Sequence, residues 1–428
     1  MTLAAALAAA YANNPALNSA RAEQRAVDEG VPQALSGYRP TVGATVQAGA
    51  GFGRSNTTPN WTGPVFSTQA SVAVEQPVFA GFRTVNSVKA AETAVLAGRE
   101  SLRNTEQTVM LNAVSAFMAV IRERAIVGLT QQNVDFLREQ TRAAQDRLDV
   151  GEGTRTDLAQ TQAAEATGLS DYNLAIANLN AAIAVFVQNI GEPPKNLSVA
   201  PAAKGLPRSA DAVISLAMER NPAILAAQFN VDIGAFNVSI LEGGLLPSAS
   251  VTGSYSNSGT TPSTWSDQVA VVGKVTVPIY DGGAISSQVR QAKERLGGLR
   301  IQVDLTRDTI RANAVSAYGQ LNAAQASIRA AEAGVRAASL ALEGVQEERK
   351  VGQATTLDVL TAQQTILNAR VGLVQAQFAA VVGSYSVLAA TGGLSAANLG
   401  LNVATYDPTE HYQAVRDKWH GLRTPDGR

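Results

Sequence analysis

The stretch TVGATVQAGAGFG, residues 41–53, sets Val42, Ala44, Val46, Ala48, Ala50 and Phe52 on one side of an extended chain, with Thr41, Thr45, Gln47 and the glycines on the other. A period of two is the mark of a strand with one apolar and one polar face. Residues 66–75 alternate likewise, with Phe66, Ala70, Val72 and Val74 against Ser67, Gln69, Ser71 and Glu75. So do 248–256 (Ala249, Val251, Tyr255 against Ser248, Ser250, Thr252, Ser254) and 268–277 (Val269, Val271, Val275, Val277 against Gln268 and Lys274). Four strands of roughly ten residues suit a tilted crossing of a bilayer. Segments 55–64 and 258–266, rich in Gly, Ser, Thr, Asn and Pro, read as their loops. Four strands cannot close a barrel, and unpaired strand edges are not tolerated in hydrocarbon, so closure requires further copies. Two copies would make eight strands around a filled lumen and three would make twelve around a duct; strand patterning leaves both open.

The strands belong to a duplication that runs through the chain. Asn14-Pro15-Ala16-Leu17 recurs as Asn221-Pro222-Ala223-Ile224, and Pro40 as Pro247, both 207 residues later. Pro77-Val78-Phe79-Ala80-Gly81 matches Pro278-Ile279-Tyr280-Asp281-Gly282, and Val150-Gly151 matches Val351-Gly352, now at a shift of 201. The reading is a first repeat over 1–205 with a strand hairpin at 41–77, a long helix at 84–148 and a return helix at 155–190. A second repeat covers 206–400, with a hairpin at 248–278 and helices at 284–349 and 356–391, and 401–428 is a tail.

The helices carry heptads. Val303, Ile310, Ala317, Ala324, Ala331, Ala338 and Val345 recur every seven residues, with Ala314, Leu321, Ile328, Val335 and Leu342 at the second seam position. The first half repeats the pattern with Glu123 and Thr130 interrupting it. Such spacing predicts coiled-coil packing. About 65 residues at about 1.5 Å each predict a helix of about 100 Å.

Composition narrows the function classes. The chain is 46% apolar but 5% aromatic, which suits closely packed helices rather than cores of large side chains. With 34 Lys and Arg against 35 Asp and Glu, it has no basic surplus to neutralise phosphates, so nucleic acid is not an expected partner. The absence of cysteine removes thiolate metal sites and cysteine nucleophiles. The histidines, His411 and His420, lie in the tail without a nearby ligand cluster, and GAGFG at 49–53 sits inside a strand rather than before a helix. No metal, cofactor or catalytic constellation is expected. The opening MTLAAALAAAYANNPAL lacks a basic start and reads as structural helix rather than leader. No run approaches the ~18 apolar residues of a spanning helix, so any membrane span is expected from strands.

Over nearly its whole length the chain resembles the TolC family of outer-membrane efflux proteins. The duplication, the Asn-Pro helices at 14–15 and 221–222, the hairpin ends Gln76-Pro77-Val78-Phe79 and Val277-Pro278-Ile279-Tyr280-Asp281-Gly282-Gly283, and the turn KVGQATTLDVLTAQQ at 350–364 carry the resemblance. It implies an α+β membrane protein: a homotrimeric, twelve-stranded outer-membrane barrel in contact with outer-membrane lipid, continued by a helical barrel in the periplasm. It further implies a periplasmic adaptor (membrane fusion) protein and an inner-membrane ABC or RND-type transporter as partners, for drug efflux or type I secretion. A periplasmic coiled-coil scaffold would also explain the heptads, but it has no need of four alternating strands.

Candidate site residues lie mainly at the two helical turns. Gly151 and Gly352 read as helix C-caps, and Thr154 with Asp157, and Thr355 with Asp358, fit the capping-box spacing of the following helices. In the resembled family these turns form the periplasmic entrance, held shut by polar links between helices and lined by acidic rings. By position, Asp157 and Asp358 match acidic positions of the family. Thr361 and Ala354 stand where well-known members carry an aspartate and a gating arginine, while Arg155 in the first turn is the arginine available to pair with Asp157 or Asp358 of a neighbour. Glu75 and Lys274, on polar strand faces, are expected in the barrel lumen. Tyr38, Phe79, Tyr255 and Tyr280 are candidates for interfacial aromatic girdles. The tail is open to two readings, a strap around the helices or a disordered end.

Overall fold

The computed structural model describes residues 1–54, 62–260 and 264–427. The elements are α1 (Leu3–Asn13), α2 (Pro15–Asp28), α3 (Gly30–Leu35), β1 (Thr41–Gly53), β2 (Thr62–Ala80), α4 (Arg83–Asp149) and α5 (Arg155–Ile190). The second half adds α6 (Ala210–Arg220), α7 (Pro222–Glu242), β3 (Ser248–Thr260), β4 (Thr264–Thr276), α8 (Ala284–Lys350), α9 (Thr356–Ala390) and the tail helix α10 (Pro408–Val415). Both long helices, α4 and α8, have 67 residues, about 100 Å each.

The duplicated Asn-Pro motif does the same work twice. Asn14 accepts the amide of Ala16 at 2.9 Å and donates its side-chain amide to the carbonyl of Asn189 at 3.0 Å. Asn221 accepts from Ala223 at 3.0 Å and donates to the carbonyl of Ala390 at 3.1 Å. One side chain thus caps the helix that begins at the following proline and ties it to the end of a return helix; proline suits that first position because its missing N–H would have been unpaired there.

The four strands form one antiparallel sheet in the order β1-β2-β3-β4, leaving β1 and β4 as edges. Directly opposed residues of antiparallel strands share a face. The register sets Val42, Val74, Gly253 and Val271 in one row and Ala44, Val72, Tyr255 and Val269 in the next, so the apolar face runs across all four strands. The strands are longer than expected. Residues 62–65 and 76–80 extend β2, 258–260 extend β3 and 264–266 extend β4, because ladder bonds to the neighbouring strands do not depend on the side chains alternating; the rest of the expected loops, 55–61 and 261–263, lies outside the described residues. A register shift between Pro77 and Phe79 turns Phe79 to face Ala249, on the apolar side.

On α8 the heptad reading holds: Val303, Ala314, Ala317, Leu321, Ala324 and Ala338 are buried and the remaining seam positions half-buried. Glu123 and Thr130 do not break the α4 seam. Both are buried there, Glu123 taking the Arg122 guanidinium at 2.7 Å and Thr130 donating its hydroxyl to the Ile126 carbonyl at 3.0 Å. The largest core joins α1 (Leu3, Leu7), α4 (Met110, Val114, Phe117) and α5 (Phe186, Ile190). Contrary to the sequence expectation, three helical segments, Arg155–Ile190, Ala210–Leu245 and Thr356–Ala390, are long and apolar enough by composition to cross a membrane. Their hydropathy is raised by alanine-rich seams, which serve helix packing equally well.

Contacts divide the chain into two compact units. One comprises 1–22, 100–225 and 305–406, the other 23–99, 226–304 and 407–428, so each draws on both halves. In the second unit the tail is ordered. His411 Nδ1 lies 3.1 Å from the fully buried Asp28 carboxylate, Arg416 meets Glu92 at 3.3 Å, and the Arg39 guanidinium stacks over Trp419 at 4.8 Å.

Candidate functional site

The turn between α4 and α5 closes with a Schellman motif. Gly151, at φ +81, donates to the Leu148 carbonyl, and Glu152 donates to the Arg147 carbonyl at 2.8 Å. The turn between α8 and α9 repeats it: Gly352, at φ +77, donates to Arg349 and Gln353 to Glu348 at 2.8 Å. Each following helix is capped by its threonine. Asp157 N–H donates to Thr154 Oγ1 at 3.1 Å, and Thr154 donates to Asp157 Oδ2 at 2.6 Å. At the second turn a full capping box forms, with Asp358 N–H on Thr355 Oγ1 at 3.2 Å and Thr355 N–H on Asp358 Oδ2 at 2.8 Å.

The structure also supplies a residue that sequence reasoning passed over. Arg349, in the last turn of α8, donates from Nη1 to Gln140 Oε1 on α4 at 2.6 Å and from Nη2 to Thr356 Oγ1 on α9 at 3.3 Å. It therefore bridges the α4–α5 and α8–α9 hairpins. Asp157 faces the same cluster: the Thr154 hydroxyl, then the Thr356 hydroxyl, and more weakly the Arg349 charge hold its carboxyl below the usual aspartate range. Burial and the nearby Arg147 lower Arg349 from the usual arginine value, against the pull of Asp157. Thr355 holds Asp358 low, first by its hydroxyl and then by its amide. Arg155 is exposed and makes no ion pair among the described residues of its own chain. Its one sequence signal was its charge; for Arg349 the signal would have been an arginine one turn before a C-cap, ordinarily read as a dipole partner.

Glu75 and Lys274 lie on the polar sheet face, Glu75 opposite Thr41 and Thr252, and Lys274 opposite Ser250. Tyr255 is on the apolar face and donates its hydroxyl to Asp267 at 2.8 Å. Phe66 and Trp265, which sequence reading assigned to a strand start and a loop, share that face near the other end of the strands.

A family model described as outer membrane efflux protein matches residues 6–191 and 213–393. The chain belongs to that family. It is 46% identical over 430 residues to the outer membrane efflux protein BepC of Brucella suis, covering 100% of this chain and 93% of that protein. To the outer membrane protein TolC of Escherichia coli it is 26% identical over 415 residues, covering 92% and 83%. The outer membrane channel CmeC of Campylobacter jejuni superposes with a TM-score of 0.81 at 17% identity, over 97% of this chain and 89% of that one.

The fold is thus that of the trimeric outer-membrane channels, each protomer giving four strands to a twelve-stranded barrel that a periplasmic helical barrel continues. Among the described residues β1 and β4 each pair on one side only, and an unpaired strand edge is not tolerated in hydrocarbon. This family member is an exit duct of the cell outer membrane, with its helices in the periplasm.

Proposed function

We propose that the two helical turns form the resting, shut entrance of this duct and that Arg349 is the tie that holds it. The carrying observation is the bridge from Arg349 to Gln140 and Thr356, with Asp157 beside it, which fastens one helical hairpin to the other. A periplasmic adaptor that grips the hairpins would part them and join the duct to an inner-membrane ABC or RND-type transporter. On this reading Arg155 is a solvated charge rather than the tie, since an exposed pair contributes only about 0–1 kcal/mol. Asp358, repeated by a threefold axis, forms an acidic ring that favours cations. Glu75 and Lys274 face the water-filled lumen while the apolar sheet face meets lipid.

The test is the oligomeric mass of the detergent-extracted protein together with its conductance in planar bilayers. A trimer with a small, cation-preferring conductance supports the whole reading. A trimer that conducts fully without an adaptor overturns the shut entrance and leaves the duct standing. A water-soluble monomer or dimer without conductance would overturn both.

A further inference from the structure

The junction between β2 and α4 keeps a backbone conformation that its repeat handles differently. Phe82 has φ +61, in the left-handed region where a bulky side chain is a true outlier. At the equivalent position 201 residues later stands Gly283, at φ +86, which adopts that region without a Cβ penalty. Keeping phenylalanine at such a place requires a compensating contact. Within the chain the ring meets Phe79 edge to face at 5.1 Å between centroids, yet Phe82 remains 58% exposed. Its exposed side is therefore open to a contact from outside the chain.

The surroundings indicate what covers it. The register shift before Phe79 puts that ring at the border of the apolar sheet face, so the Phe79–Phe82 pair continues the lipid-facing surface past the end of the strands. A cavity of about 140 Å³ opens between Tyr38, Pro77, Phe79, Phe82 and Val85. A wider depression of about 600 Å³ on the other side of Phe82 is lined by Leu245, Leu246, Asn86 and Lys89. Lys89 is exposed and has no ion-pair partner among the described residues; Glu242, which also lines the depression, is taken by Lys293 at 2.8 Å. Since β2 is an interior strand and neighbouring copies join at β1 and β4, the strand end that carries this patch is set back from the seam between protomers.

We propose that this junction seats one glycerophospholipid, its acyl chain against Phe79, Phe82, Leu245 and Leu246 and its phosphodiester at Lys89. The seat rests on the outer-membrane reading and deepens it. Aromatic rings favour the level of the headgroups, where one face is apolar and the rim is wet, and a lysine near that level attracts anionic headgroups.

The experiment uses the full trimer in nanodiscs of phosphatidylethanolamine and phosphatidylglycerol. Phe82→Trp is made in a background where Trp61, Trp265 and Trp419 are phenylalanine, with Val150→Trp at the exposed helical turn as control. Lipid brominated near the headgroup should remove most of the emission at position 82, lipid brominated at the chain terminus less of it, and neither should affect position 150. Unquenched emission at 82 overturns the seat. Lys89→Gln should weaken retention of phosphatidylglycerol, read by native mass spectrometry, by about fivefold; unchanged retention overturns the headgroup assignment. Membrane insertion of the same preparations separates the two levels: a bilayer-inserted trimer without quenching loses the lipid seat alone, whereas a wild type that stays water-soluble and does not insert loses the duct reading itself.

Discussion

Arg349→Ala is the sharpest perturbation of the proposed entrance. The residue makes one charge-assisted hydrogen bond between the hairpins, to Gln140 at 2.6 Å, and one within its own hairpin, to Thr356 at 3.3 Å. Buried bonds of that kind contribute about 1.5–3 kcal/mol each, but the side chain is half in solvent, so about 1 kcal/mol each is the fair discount. The link between the hairpins, the Gln140 bond, then contributes about 1 kcal/mol per protomer, and about 3 kcal/mol if the three protomers open together. A change of about 3 kcal/mol moves an equilibrium by about 150-fold, so the variant should turn an entrance closed at about 99:1 into one that is open about half of the time or more. The assay is single-channel conductance of the purified trimer in planar bilayers, with Arg155→Ala as the internal comparison. Arg349→Ala should conduct far more than wild type, and Arg155→Ala should match wild type. An unchanged conductance in Arg349→Ala, or an equal rise in Arg155→Ala, would refute the assignment of the tie to Arg349.

Asp157 and Asp358 are both held below the ordinary aspartate pKa of 3.8, so their capping contribution is complete above 3.8 and is lost as the pH falls below it through the lowered folded-state value. Conductance should accordingly rise at the acid end of a titration, and the rise should vanish in Asp157→Asn with Asp358→Asn. Asn221→Ala removes a helix cap and a partly buried bond to the Ala390 carbonyl, about 1 kcal/mol each, and should lower the heat-dissociation midpoint of the trimer as much as Asn14→Ala does at the matching place. Lys274→Glu should increase cation preference, read from reversal potentials in a salt gradient, without altering the trimer's mass. An unchanged reversal potential would remove Lys274 from the lumen.

Much of the secondary structure was legible because its signals are local. Alternation over 41–53 requires only neighbouring residues, and the α8 seams show every seven. The missed strand ends, 62–65 and 76–80, are held by ladder bonds to other strands, which hydroxyl- and proline-containing sequence does not announce. The apparent spanning helices show the opposite error: alanine seams satisfy a hydropathy window, yet the family's helices stand in the periplasm. Of the two helical turns, the caps were readable from Thr-x-x-Asp spacing, but Arg349 was not, since its partner Gln140 is 209 residues away.

By itself, then, the amino-acid order determined the repeats, the two faces of each strand, the heptad seams and the four-strand contribution that forces several copies into one barrel. Tertiary structure alone decided that Arg349 reaches across the hairpins of its own chain, that a bulge turns Phe79 to the apolar face, that the tail docks through His411 and Asp28, and that each compact unit combines both halves. The division has a physical reason. Periodicity and capping are written within a few residues of chain, whereas a side chain's partner across the fold depends on how elements hundreds of residues apart are brought together.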